Sequence, residues 1–154
     1  MTREAFRYKE REKEMTEIFR RIDGLLAPEQ YWAFKNLGDS EEYAAVCNGM
    51  GPAGGNQATR LLTKFLSNKI LWVDAKGAAD IHDFMYFMQS GRRLSDELFL
   101  FNLFNLIGDS SSCIATRIPR KFIAAIYYIC VFWFGGRAYK RAKDLDKKEA
   151  KEKP

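Results

Sequence analysis

The sequence predicts an all-α fold: a small helical domain built around an antiparallel pair of helices and a glycine-rich loop. Three observations carry this. No stretch alternates apolar and polar residues as a half-buried strand would. Apolar residues recur instead at helical spacing, or crowd into segments that are apolar nearly all round, as in residues 94–107 and 118–134. The hydrophobic fraction of 47% and aromatic fraction of 14%, in 154 residues, suffice for one packed domain and exclude a disordered chain.

Residues 3–24 are predicted as a charged amphipathic helix, with Phe6, Met15, Ile18, Phe19, Ile22 and Leu25 as a partial apolar stripe. Pro28 suits the first turn of a second helix carrying Tyr31, Trp32 and Phe34. Leu37-Gly38-Asp39-Ser40 breaks it, and Asp39 or Ser40 can cap a short helix through Val46. Residues 47–55 hold four glycines and a proline, so no regular element is expected there. A helix over about residues 57–67 follows, and Ile70-Leu71-Trp72-Val73 is ambiguous between helix, strand and loop.

Residues 77–89 are predicted as the helix carrying His82, closed by a turn at Ser90-Gly91-Arg92-Arg93. Residues 94–107 are expected to be central and buried, with Asp96, Asn102 and Asn105 as polar exceptions. Residues 108–117, with three consecutive serines, read as a loop. Residues 118–134 read as another buried helix, which Gly135-Gly136 interrupts ahead of a basic tail. The organisation expected is an N-terminal helical extension (1–46), a central domain (47–139) and a solvated tail (140–154).

Charge and cysteine usage narrow the setting. The net charge is +5, and from Arg137 onward eight basic residues face four acidic ones. Such a mixed run is either a solvated, fraying helix or a surface for nucleic acid or anionic lipid. The charges are interleaved and the aromatics read as core, which disfavours nucleic acid as partner. Three widely spaced cysteines form no zinc pattern and no disulfide framework, so a reducing compartment such as the cytoplasm is expected. The N-terminus lacks a signal-peptide core. The longest apolar run, residues 122–134, is 13 residues long, short of the ~20 needed to span a bilayer, and is expected to be a buried helix.

His82 is the only histidine. It cannot build a multi-histidine metal site, but it can act as a general base because its ordinary pKa lies near neutral pH. On a helix His82 and Tyr86 share one face, and Asp80 and Asp83 another. The glycine-rich loop can present carbonyls to a hard cation such as Ca²⁺ or N–H groups to an anion. It lacks the lysine of a nucleotide-binding loop. Asp96, across the turn, either charges a helix start or accepts a bond from one nitrogen of His82, freeing the other to take a proton.

Taken in order, four segments bear a likeness to a known family. Asp80-Ile81-His82-Asp83-Phe84-Met85-Tyr86 resembles the active-site helix of the phospholipase A₂ superfamily. Asn48-Gly49-Met50-Gly51-Pro52 resembles its calcium loop, in the form found in small phage and bacterial phospholipase A₂-like proteins. Ser95-Asp96-Glu97-Leu98-Phe99-Leu100-Phe101-Asn102 is similar to a further segment of that group. So is Tyr127-Tyr128 with Phe134-Gly135-Gly136-Arg137-Ala138, which resembles its C-terminal helix. The likeness spans residues 47–139.

The resemblance implies a Ca²⁺-dependent phospholipid ester hydrolase, with a membrane surface as substrate. His82 would be the base that activates water, Asp96 would orient it and Tyr86 would join that network. Asp83 would be the side-chain metal ligand, with backbone carbonyls around Asn48, Gly49 and Gly51 completing the Ca²⁺ site. Asp80 receives no role. Two cysteines that often tether loop to helix in relatives are replaced by Met50 and Ala79, which leaves the loop without a covalent brace. The alternative expectation is a non-catalytic interaction or virion-associated protein that keeps the fold. A lipid enzyme also needs an apolar rim, for which Tyr31, Trp32, Trp72 and Phe87 are candidates.

Overall fold

The computed structural model describes residues 19–37, 40–47, 69–70, 72–111 and 113–151. The predicted helix over 57–67, the loop at 48–55 and the first eighteen residues lie outside them. The described chain is mostly helical, with five helices and two short hairpins. In order these are β1 (Phe19–Ile22), β2 (Leu25–Pro28), α1 (Glu29–Leu37), α2 (Ser40–Val46), β3 (Lys69–Ile70), β4 (Val73–Asp74), α3 (Lys76–Met88), α4 (Arg92–Ser110) and α5 (Ile114–Lys151).

The first hairpin corrects the helix expected through residue 24. β1 and β2 pair antiparallel with Ile22 opposite Leu25, so Asp23 and Gly24 form a two-residue loop. Both take positive φ, 51° and 77°. That is the geometry of a hairpin turn matched to strand twist, and Asp-Gly is a sequence suited to it. Pro28 therefore ends β2 rather than opening α1. In the ambiguous stretch Ile70 pairs with Val73 in the second hairpin, and Trp72, at positive φ, precedes its return strand.

One core joins these parts. Ala27, Tyr31, Trp32 and Phe34 from the N-terminal portion bury against Ile81, Phe84 and Met85 of α3 and Leu103 and Ile107 of α4. The Phe84 ring meets Tyr31 at 5.6 Å and Phe34 at 5.2 Å. A fully buried large apolar side chain contributes about 1.5–3 kcal/mol, so residues 25–46 help hold the helices that carry His82. Asn102 adds a polar clamp. Its amide accepts from Leu26 N–H at 2.7 Å and donates to the Leu26 carbonyl at 2.8 Å. Of the aromatic residues considered for an outer rim, Tyr31, Trp32 and Phe87 are core, and Trp72 alone is exposed, at 86%.

Helices α3 and α4 pack on each other across the turn at Gln89–Gly91, and α4 packs in turn along α5. The loop expected over 108–117 shrinks to the few residues between Ser110 and Ile114. Gly135-Gly136 does not interrupt α5. A Cβ on Gly135 would lie 2.6 Å from the Tyr86 hydroxyl, and one on Gly136 2.8 Å from Arg92 Nη1. The two glycines are thus what lets α5 lie directly against the ends of α3 and α4.

α5 also departs from the buried helix expected at residues 118–134. Ala124 and Tyr127 face the core, but Ile118, Phe122 and Trp133 are 64%, 69% and 74% exposed. Over Ile114–Lys140 it is long and apolar enough, by length and composition, to cross a membrane.

Candidate active site

Helix α3 places His82 and Tyr86 one turn apart on the face that meets α4. His82 Nε2 lies 2.9 Å from Asp96 Oδ1, and the Tyr86 hydroxyl donates to the same oxygen at 2.5 Å. The second carboxylate oxygen faces Arg92 Nε at 3.6 Å. Asp96 is only 1% exposed. A carboxylate so deep is tolerated because a hydroxyl, an imidazole N–H and a guanidinium converge on it. Asp96 does not cap its helix: Gly91 holds that position, without a side-chain bond. Asp96 thus bonds the ring of His82 rather than its own helix end.

With Asp96 Oδ1 accepting from the ring, Nε2 carries the proton and the lone pair of neutral His82 sits on Nδ1. That nitrogen points toward Asp83, whose Oδ1 is 3.8 Å away. Burial alone would disfavour the imidazolium, but Asp83 and Asp96, on opposite sides of the ring, outweigh it and hold the His82 pKa above its ordinary value. The ring is wedged between Tyr86, at 4.1 Å between centroids, and Phe99, at 5.3 Å. Burial and the bond to Asp96 push the Tyr86 phenol upward, so it stays a donor.

Sequence reasoning missed Arg92, which it placed in a turn. Arg92 opens α4, pairs with Asp96 one turn on, and donates to the Phe132 carbonyl of α5. The spacing of Arg92 and Asp96 was the available signal. Tyr139 of α5 closes the same corner, its ring edge-on to Tyr86 at 5.1 Å.

Asp80, left without a role by the sequence, is a structural anchor. Its Oδ2 accepts from Tyr43 at 2.9 Å and from Lys76 at 2.5 Å. Because Tyr43 donates there, its own oxygen accepts from Tyr31 at 3.0 Å. The Cys47 thiol donates to the Asp80 carbonyl at 3.4 Å, and Cys47 N–H to the Tyr43 carbonyl at 2.7 Å. Burial, with Asp80 nearby, pushes the Cys47 thiol up to about 12. It is an inert tether that fixes the chain immediately before Asn48 against α3, two residues from His82. Ala79 is buried in the core, and Cys47, Cys113 and Cys130 are all free thiols.

Of the expected site residues, the structure brings together His82, Asp83, Tyr86 and Asp96, while Asn48, Gly49 and Gly51 lie outside the described residues. Among the described residues no three His, Cys, Asp or Glu side chains gather as a metal cluster. Asp83 carries hard oxygen of the type Ca²⁺ takes, and a site built on it would need its other ligands from elsewhere, such as backbone oxygens. The donor chemistry at Asp83 is compatible with Ca²⁺ on those terms. No protein-family model, curated protein or solved structure matches this chain.

Proposed function

We propose that this chain is a Ca²⁺-dependent phospholipid ester hydrolase of phospholipase A₂ type, built on the α3–α4 pair as an antiparallel pair of active-site helices. The observation that carries the reading is the His82–Asp96–Tyr86 arrangement. One imidazole nitrogen is bound to a buried carboxylate, and the other faces a second carboxylate of metal-ligand type. A base oriented through its distal nitrogen is the usual arrangement for activating water.

In this reading Nδ1 of His82 takes a proton from water, and the water oxygen bonds to the ester carbonyl carbon. The bond from that carbon to the lipid alcohol oxygen then breaks. His82 returns the proton to the departing oxygen, which leaves a fatty acid and a lysophospholipid. Asp96 and Tyr86 keep the ring in one tautomer and orientation throughout. Ca²⁺ held by Asp83 and by carbonyls at Asn48, Gly49 and Gly51 would supply stabilisation of the charge that develops on the carbonyl oxygen. The bond from Cys47 to the Asp80 carbonyl supports the reading, since it holds Cys47, the residue that precedes Asn48 in the sequence, beside α3 without a disulfide.

The test is fatty-acid release from phospholipid vesicles as Ca²⁺ is titrated. Release should require Ca²⁺, stop in excess chelator and disappear in His82→Gln. Release that persists in chelator would overturn the proposal.

A further inference from the structure

The exposed face of α5 is apolar where an exposed helix face is normally polar. Ile114, Ile118, Phe122, Ile126, Ile129 and Trp133 follow one another at spacings of three or four, and all are exposed. They form a stripe about 28 Å long at 1.5 Å per residue. Ala124, Tyr127 and Gly135, on the other side of the helix, make its contacts with the core and the site. A continuous apolar stripe of this kind marks an interaction surface.

Charge identifies the occupant. From Ser110 to Lys143 there is no acidic residue, while Arg117, Arg120, Lys121, Arg137 and Lys140 flank the stripe at both ends. Arg117 and Arg120 spend their hydrogen bonds on neutral oxygens of Ser110 and Ser111, and among the described residues no carboxylate pairs with either. A second copy of this helix would bring cation against cation. An anionic lipid surface accepts both the apolar stripe and the basic flanks.

Residues 114–140 are long and apolar enough to span, so the placement of charge decides between lying and spanning. The uncharged part, residues 122–136, is 15 residues. That is about 22 Å of helix against a hydrocarbon core of ~30 Å. One whole side of the helix is also engaged with α4, whose Asp96 and Arg92 are unsuited to hydrocarbon.

We infer that α5 lies in the plane of an anionic bilayer surface, its Ile118–Phe122–Trp133 stripe sunk among the acyl chains and its arginines and lysines among the headgroups. Trp133 lies within one turn of Gly135, which abuts Tyr86 on the side of the helix turned away from the stripe, so the docking helix is also the one that borders the candidate site. Trp72, on the hairpin whose β3 strand packs against α5, supplies a second exposed indole. The inference rests on the hydrolase reading only for its purpose, because docking needs no turnover.

The experiment separates the two. The full chain is sedimented in chelator with vesicles of ether-linked phosphatidylcholine, with and without ether-linked phosphatidylglycerol, which offer no ester to cut. Wild type should sediment with the anionic vesicles and be partly released by salt. Ile118→Ser/Phe122→Ser/Trp133→Ser should bind at least about tenfold more weakly. Arg137→Gln/Lys140→Gln should lose the preference for anionic lipid. In Trp72→Phe, bromine-labelled lipid should quench the remaining emission through Trp133, since Trp32 is buried. A wild type that stays in solution, or a triple variant that sediments like wild type, overturns the inference. So does a dimer by light scattering that the triple variant dissolves with no vesicle binding by either protein. Vesicle binding without hydrolysis of ester lipids in Ca²⁺ would leave docking standing and remove the hydrolase.

Discussion

Helix α4 buries Ser95, Asp96 and Asn102, whereas α5, lying along it, holds Phe122 and Trp133 in solvent. Both depart from the ordinary distribution of polar and apolar residues, in opposite directions. In α4 the departure is compensated inside the molecule, since Asp96 meets His82, Tyr86 and Arg92, and Asn102 meets the backbone of Leu26. In α5 the exposed stripe has no such compensation from the surrounding chain described here. A buried polar group with all its partners present points to chemistry or to fold specification. An exposed apolar face points outward, to something the chain meets. The two kinds of exception therefore assign two tasks to neighbouring helices.

The comparison breaks most sharply at Asp96. Asp96→Asn keeps the shape but can present an N–H to His82 Nε2, which reverses the tautomer. By analogy with orienting carboxylates elsewhere, hydrolysis should fall ~10³–10⁴-fold. Asp96→Ala should in addition cost about 3–5 kcal/mol in denaturant unfolding, because it strips the buried imidazole and phenol of their acceptor. Equal activity for Asp96→Asn and wild type would remove the orienting role.

Asn102→Leu tests the second buried polar group of α4. It fills the space with carbon but abandons Leu26 N–H and C=O, at about 1–3 kcal/mol for an orphaned group, and the lower half of that range fits a partly buried strand. Stability should fall by that amount while the Ca²⁺ requirement of any remaining hydrolysis is unchanged. Gly135→Ala tests the junction between the helices. Alanine favours helix by about 1 kcal/mol over glycine, but its Cβ would meet the Tyr86 hydroxyl at 2.6 Å. Tyr86 is the movable partner and would surrender its bond to Asp96. The expected outcome is a thermal midpoint near wild type with hydrolysis reduced by about tenfold. A large loss of stability with full activity would mean that the clash is relieved by moving α5 instead.

What the sequence made legible follows from how local each signal is. The helices α2, α3 and α4 were readable because spacing, Gly91 and the break near Leu37 are properties of adjacent residues. His82, Tyr86 and Asp96 were readable as candidates, but only the fold decides that Asp96 accepts from both rings rather than serving its own helix end. The β1–β2 hairpin was missed because the apolar spacing of Phe19 and Ile22 fits a helix as well as a strand, while Asp23-Gly24 held the discriminating turn chemistry. Gly135-Gly136 was misjudged because glycine carries two messages, breakage or close approach, and only the position of Tyr86 and Arg92 selects the second. The exposure of α5 was hidden for a related reason. A sequence states that Phe122 and Trp133 are apolar, not that the partner face is missing.

That last difference gives the smallest expected effect and a direct check of the comparison. Ile118→Ser and Ile129→Ser replace apolar side chains that are 64% and 52% exposed on α5. In a core position such a change would cost several kcal/mol through lost transfer energy and a cavity. Here most of each side chain already faces water and no cavity forms. Each should stay within about 0.5 kcal/mol of wild type in denaturant unfolding, with far-UV circular dichroism unchanged. Serine is a poorer helix former than isoleucine by only a small margin, and α5 is long enough to absorb it. A loss of 2 kcal/mol or more at either position would show that the stripe is covered in the free protein. The apolar face of α5 would then belong to the core, and the contrast with α4 would vanish.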